Sequence, residues 1–235
     1  MKKAVFFDLY NTLMRFWPPL DEIQQASCRE LGLTLRKSDI RRGYAVADEY
    51  FNEANAEAPL ALRSPEARAE FFAEYERRIL HAAGVDVNLK LADQVWQMAM
   101  LVQKDFELFE DVLPVLQRLK DKGYVLGAVS NLRRDMDSLM KQLKLEGVLD
   151  FCITSAEVGA EKPFPPIFHA ALDRAGVEPS NAYHVGDQYK ADVQGAKAVG
   201  ITPVLLDREG LRSDVLDCPR IKNLSELEEL LGASC

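Results

Sequence analysis

The sequence is short of residues on which several chemistries depend. Cysteine occurs four times in 235 residues, at Cys28, Cys152, Cys218 and Cys235, scattered without metal-ligand spacing. Histidine occurs three times, and His81 and His169 offer nothing beyond positions on helices. No run approaches the roughly 20 apolar residues a membrane-spanning helix needs. The opening Met1-Lys-Lys-Ala-Val-Phe-Phe imitates the start of a secretory signal, but Asp8 cuts its apolar stretch far too early. There is no excess of positive charge: the net charge is −8, which argues against a nucleic-acid surface. These absences lead to the expectation of a cytoplasmic protein with reduced thiols, bound to neither membrane nor nucleic acid. It is expected to be a monomer or homodimer.

What is present begins with Ala4–Phe7, a continuous apolar run too short for a helix and suited to a buried strand. Asp8 stands at its C-terminal end, where open α/β sheets bind ligands. Asp and Asn are also ordinary turn residues, so this segment alone leaves both readings open. Next comes an aromatic, proline-containing link from Met14 to Pro19. Roughly Leu20 to Lys104 then reads as helix almost throughout. Helix starts are expected at Ser38-Asp39, and at Ser64 with Pro65 in the first turn. Gly32 and Gly84 suit helix ends, whereas Gly43 falls inside a helix and weakens it. Phe71, Phe72, Tyr75, Ile79 and Leu80 share one helical face and read as core packing.

From about Phe106 the pattern alternates. Helices are predicted over Val112–Lys122, Arg133–Leu143, Pro166–Ala175 and Ala191–Val199. Strands are predicted over Tyr124–Ser130, Phe151–Thr154, Ala182–Asp187 and Thr202–Leu206. The acidic run from Glu226 reads as a solvated helix face. Alternation of this kind implies a parallel sheet with right-handed crossovers. The first strand must join that sheet to satisfy its backbone groups. The expected fold is therefore an α/β, Rossmann-like parallel sheet core flanked by helices, residues 1–14 and 106–235. An α-helical bundle, residues 15–105, is inserted as a cap.

Four strand ends then point toward one crevice, carrying Asp8 and Thr12, Ser130 and Asn131, Lys162, and Asp187 with Asp192 beyond it. Chemically this is a carboxylate nucleophile, two hydroxyls, a cation and an acidic pair. Asp8 and Asp187 together would repel unless a cation sat between them, and hard oxygen ligands favour Mg²⁺. Such a set suits phosphoryl transfer through an aspartyl-phosphate.

With these four motifs in order, the chain resembles the haloacid dehalogenase superfamily of hydrolases across the whole α/β core. The resemblance implies Asp8 as nucleophile, Thr12 and Ser130 (with Asn131) as substrate ligands, and Lys162 as the neutralising cation. It implies Asp8, Asp187 and the Tyr10 carbonyl as metal ligands. Asp192 would order either metal-bound water or Lys162. The insertion resembles the family's first cap type.

One position departs from the pattern. Phosphatases of the family usually carry a general-acid Asp two residues after the nucleophile, where this chain has Tyr10. Dehalogenases also carry Tyr there. They carry a further Tyr six residues after the motif lysine, where this chain has Phe168, and a Ser-x-Asn-type fourth motif in place of the acid pair. Two positions against one favour a metal-dependent phosphatase of small phosphorylated metabolites. The alternatives are metal-independent 2-haloacid dehalogenation and a phosphate-binding regulatory role. Arg41 and Arg42 read as solvated charges pairing with Asp39 or Asp48. Trp17 reads equally as a pocket-entrance or a hinge residue. His184 reads as structural.

Overall fold

The computed structural model describes residues 2–58, 60–132 and 134–233, without the side chains of 56, 57, 61 and 233. Arg133, expected to open a helix, and Cys235 lie outside the described residues. Along the chain, β1 (Ala4–Phe7) and β2 (Met14–Trp17) lead into α1 (Leu20–Glu30), α2 (Lys37–Glu57), α3 (Pro65–Ala82) and α4 (Leu89–Leu101). Then follow β3 (Asp105–Leu108), α5 (Val112–Asp121), β4 (Val125–Ser130), α6 (Met136–Gln142), β5 (Phe151–Thr154) and α7 (Ser155–Val158). The last elements are α8 (Pro165–Ala175), β6 (Ala182–Gly186), α9 (Gly195–Ala198), β7 (Thr202–Leu206), β8 (Arg220–Ile221) and α10 (Leu227–Ala233).

Two compact units result, one of Met1–Arg15 with Phe106–Cys235 and one of Phe16–Asp105. The first holds a six-stranded sheet in the order β5-β4-β1-β6-β7-β8, parallel throughout. This is the expected α/β fold. β1 occupies the interior because all four of its side chains are buried, and only a strand covered on both faces tolerates that. Its alternate residues serve opposite faces. Val5 and Phe7 join Val115, Leu116, Leu126 and Leu227 in one core, and Ala4 and Phe6 join Ile167, Phe168 and Ala196 in the other. Strand order departs from β1 toward β4 on one side and β6 on the other. A crevice therefore opens at the C-terminal ends of these strands, the place where such sheets bind ligands.

Several expectations need adjustment. The aromatic link is partly strand, β2, which pairs with β3 in a two-stranded sheet of its own. β8 is two residues long and carries no sequence signal. The helix expected from Ala191 is instead a π-helical turn, Tyr189–Gln194, followed by the short α9. α2 begins at Lys37 rather than at Ser38-Asp39, because Asp39 turns back to accept from Arg36 and leaves the first amides uncapped.

Within the helical unit, Ser64 caps α3 by accepting from the Ala67 amide, with Pro65 in the first turn. Phe71, Tyr75, Ile79 and Leu80 are buried as core. Arg42 pairs with Asp39 but Arg41 pairs with Asp21, and Asp48 accepts from the Tyr75 hydroxyl instead. Gly43 does not break α2. A Cβ there would lie 2.4 Å from the Ile79 carbonyl oxygen, so glycine is what lets α2 approach the α3 backbone. Among the described residues, no helix is long and apolar enough to cross a membrane.

The close approach at Gly43 fixes the sign of a substitution. Gly→Ala in an unobstructed helix stabilises by about 1 kcal/mol, whereas overpacking against backbone costs about 1–3 kcal/mol. Gly43→Ala is expected to lose stability by about 1 kcal/mol in urea unfolding. A gain would show that α2 and α3 separate freely.

Candidate active site

The site is built from four segments of the α/β unit. β1 delivers Asp8, whose amide donates to the Val185 carbonyl at 2.9 Å, so the sheet ladder runs into the site. The chain then winds tightly. The amides of Thr12, Leu13 and Met14 all point to the Leu9 carbonyl, at 3.3, 2.9 and 2.9 Å. Asn11 takes a left-handed conformation, φ 59°, one that Asn tolerates better than most residues. This turn buries the Thr12 side chain completely, and its Oγ1 has no hydrogen-bond partner among the described residues. A buried hydroxyl left unsatisfied costs about 1–3 kcal/mol, so Thr12 Oγ1 is open to a further hydrogen bond.

At the centre is the ammonium of Lys162. Its Nζ donates to Asp8 Oδ1 at 2.6 Å and to Asp192 Oδ1 at 2.7 Å, and the residue is only 5% exposed. A buried cation persists only when paired, and here it is paired twice. Burial alone would lower the Lys162 pKa, but Asp192 and Asp8 more than offset it and raise it. Burial raises the Asp8 carboxyl to about 6, with Lys162 opposing and Asp192 adding to the rise. Burial also pushes Asp192 upward, yet Lys162 and His184 outweigh it and hold Asp192 well below the usual carboxylate range.

Asp192 is fully engaged within the protein. Besides Lys162, its Oδ1 accepts from His184 Nε2 at 2.9 Å, and its Oδ2 accepts from the Gln188 amide at 3.0 Å. The π-helical turn presents it there. Gly186 is required beside it, since a Cβ at that position would lie 2.2 Å from the Asp192 carboxyl carbon. His184 is wholly buried, with Phe168 edge-on at 5.2 Å, and burial lowers its pKa. The neutral imidazole therefore donates from Nε2, in keeping with its structural reading.

Ser130 ends β4, buried, with its Oγ accepting from the Leu132 amide at 3.2 Å. Asn131 was expected to contact substrate, but both ends of its amide are taken. Nδ2 donates to the Lys162 carbonyl at 3.1 Å, and Oδ1 accepts from the Lys162 amide at 2.8 Å. It clasps the backbone that carries the central cation. Tyr10 is half-buried, its ring edge-on to Phe106 at 6.4 Å. Asp187 follows Gly186 at the end of β6, half-buried. Because Phe7 pairs with Val185, the strand ends bearing Asp8 and Asp187 are neighbours. Trp17 belongs to the helical unit, 51% exposed, and is not among the residues the α/β unit brings together. Among the described residues, no three His, Cys, Asp or Glu side chains converge as a metal cluster.

Sequence reasoning missed Arg208 and Asp111. The Arg208 guanidinium donates to both Asp111 oxygens, at 2.9 and 3.0 Å, and to the Thr12 carbonyl at 2.9 Å. Neither residue lies in a strand or beside a motif, and nothing in the sequence marks one Arg in a loop after the last long strand.

The charge arrangement predicts an order of stabilities. Lys162→Met leaves two buried carboxylates facing each other and should cost about 3–5 kcal/mol in urea unfolding at pH 7. Asp192→Asn leaves Lys162 still paired with Asp8 and should cost less. The reverse order would mean that Lys162 is not what neutralises the pair.

A family model described as haloacid dehalogenase-like hydrolase matches residues 2–200. The chain is similar to the human haloacid dehalogenase-like hydrolase domain-containing protein 3, 30% identical over 87% of this chain and 81% of the relative. It is also similar to a ribulose-1,5-bisphosphate 5-phosphatase of Halopiger xanaduensis, 29% identical over 88% of this chain and 85% of that one. Among solved structures, a 2-haloacid dehalogenase from Pseudomonas syringae aligns over the full length of both chains, with 28% identity and a TM-score of 0.57.

Proposed function

Because the chain belongs to the haloacid dehalogenase-like hydrolases, we propose that it is a Mg²⁺-dependent phosphatase of small phosphorylated metabolites, working through an aspartyl-phosphate on Asp8. One observation carries this reading: a Lys162 ammonium buried against Asp8, with the hydroxyl of Thr12, in the turn that follows Asp8, buried without a partner. The likeness to a bisphosphate phosphatase supports it. So does the fourth motif, where the half-buried Asp187 stands near Asp8.

In this reading the Asp8 carboxylate attacks phosphorus as the bond to the leaving oxygen breaks. Lys162 keeps Asp8 oriented through Oδ1 and leaves Oδ2 to form the new bond. The Thr12 and Ser130 hydroxyls donate to the phosphoryl oxygens, whose negative charge they stabilise in a site shielded from water. Water then attacks phosphorus in the acyl phosphate, the Asp8 carboxylate returns, and inorganic phosphate leaves. Asp8, Asp187 and the Tyr10 carbonyl have the donor chemistry for Mg²⁺, all hard oxygens on neighbouring strand ends. When bound, the ion supplies charge neutralisation at the phosphoryl group. Asp192 has no oxygen to spare, so of its two expected roles the one that fits is ordering Lys162. The helical unit, inserted between β1 and β4, takes the part of the family's cap in choosing substrate. The three described cysteines are free thiols, which fits the cytoplasmic setting we assign.

Tyr10 sets the leaving group. General acid catalysis is worth about 10²–10⁴-fold, and a phenol with a reference pKa of about 10 is a poor proton donor at neutral pH. Substrates whose leaving groups need no proton, such as acyl and aryl phosphates, are therefore favoured. Tyr10 also favours the second reading, hydrolytic dehalogenation, in which Asp8 displaces a halide. Phe168 speaks against it, since its ring is buried against His184 and supplies no hydroxyl.

Acetyl phosphate should be hydrolysed in Mg²⁺, with activity abolished by chelator and by Asp8→Asn. Chelator-resistant release of chloride from 2-chloropropionate, without acetyl phosphate turnover, would establish the dehalogenase reading instead. Tyr10→Asp should raise turnover of an alkyl phosphate by about 10²-fold relative to an aryl one. An equal change on both would mean the leaving group takes its proton elsewhere.

A further inference from the structure

The loop that carries the nucleophile is held from outside by a residue nearly two hundred positions away. Arg208 follows β7, and its side chain is 15% exposed. One edge of its guanidinium grips Asp111 bidentately, and Nη2 also donates to the Thr12 carbonyl. Its plane lies over the Phe109 ring at 3.9 Å, a ring that the Arg15 guanidinium also approaches, at 5.2 Å. The Phe109 amide donates to the Leu13 carbonyl at 3.1 Å. Arg208 is thus fixed by a carboxylate, an aromatic face and one backbone carbonyl.

Asp111 shows that this arrangement is selected over a local alternative. It precedes α5 at the position where an Asp side chain ordinarily caps the helix, yet it makes no capping bond. Its carboxylate is committed instead to Arg208 and to the Leu224 amide at 2.7 Å. The gain from capping has been given up for a rigid anchor. Among the described residues, Arg208 is the hydrogen-bond donor to the Thr12 carbonyl; the turn's own amides all point to Leu9 or Met14. Without Arg208, the Thr12 carbonyl loses its donor and that peptide is held only through the Leu13 amide at Leu9, which leaves it room to tilt and carry Oγ1 with it.

We propose that Arg208 is a positioning residue for the reaction, holding the Thr12 peptide so that the Thr12 hydroxyl meets the transferring phosphoryl group. The role rests on the phosphoryl-transfer reading above. A displacement of about 1 Å in such a group can cost about 10²-fold in rate. Arg208→Ala should therefore lower kcat by about 10–100-fold while KM changes little, since the loss falls on the transition state.

The test is a double-mutant cycle on acetyl phosphate in Mg²⁺, with Arg208→Ala, Thr12→Val and the double variant, each checked for folding by thermal melting. If Arg208 acts through the Thr12 hydroxyl, its substitution in the Thr12→Val background costs less than about 3-fold, because the group it positions is already gone. Equal fold-losses in both backgrounds would overturn the proposal and leave Arg208 a stabilising residue only. Should Arg208→Ala fail to fold, Arg208→Lys serves in the same cycle, since Lys keeps the charge but cannot hold Asp111 and Thr12 together. A wild-type protein inactive on acetyl phosphate removes the phosphoryl-transfer reading and this role with it. An active wild type with multiplicative losses removes this role alone.

Discussion

A buried ammonium between two buried carboxylates organises the α/β unit. Taking Lys162 out of water is costly unless its partners are held in place, and those partners come from distant parts of the chain. Asp8 arrives on β1 and Asp192 on the π-helical turn after β6, both within 2.7 Å of Nζ. Asn131, at the end of β4, fixes the Lys162 backbone from both sides. His184 and the Gln188 amide occupy what remains of Asp192. Three strands must therefore end side by side, and the order β4-β1-β6 is the arrangement that allows it. Two carboxylates and one ammonium leave a single net negative charge. Asp187 on the neighbouring strand end adds another, and a net charge of this sign supports the proposal that a cation binds there with the anionic substrate.

The division of labour among the polar groups follows from what each has left to offer. Asp192 has spent its hydrogen bonds on Lys162, His184 and the Gln188 amide, and Asn131 has spent those of its side chain on the Lys162 backbone. Thr12 Oγ1 has none, and Asp8 keeps one oxygen free of Lys162. Among these four, the satisfied groups hold the geometry and, in the proposed reaction, the others are available for chemistry. Their position does not distinguish the two kinds, since all stand at strand ends around one crevice. Only the hydrogen-bond inventory does.

The same distinction separates what the sequence reveals from what it conceals. β1, β4, β6 and β7 are legible because buried parallel strands need unbroken apolar runs. Asp8, Ser130, Lys162 and Asp187 are legible as polar residues that follow such runs. β8 is too short to leave a pattern, and β2 is masked by aromatic residues that serve a link equally well. Gly43 reads as a helix breaker because its reason lies on another helix, at the Ile79 carbonyl. Asn131 reads as a substrate ligand because its partner is a backbone 31 residues away. Asp111 stands at the cap position of α5 without capping it, because its carboxylate is held by Arg208 across 97 positions. Local rules fail here wherever a tertiary partner outbids the local one.

Tyr10 is where the site's electrostatics and its chemistry meet. An Asp at that position would be a further carboxylate close to Asp8 and Asp187, and repulsion would raise its pKa toward that of a useful proton donor. The phenol removes that charge and gains an edge-on contact with Phe106, the first residue where the chain returns to the α/β unit. Aromatic pairs of this geometry are worth about 0.5–1.5 kcal/mol beyond their burial. What is lost is a proton donor near the leaving atom, worth about 3–5 kcal/mol of transition-state stabilisation for a poor leaving group and almost nothing for a good one. The substitution is therefore nearly neutral for an enzyme whose substrates leave as weak bases, and severe for one whose substrates leave as alkoxides. In the proposed reaction, Tyr10 constrains the leaving group more tightly than it constrains the bond that Asp8 would attack.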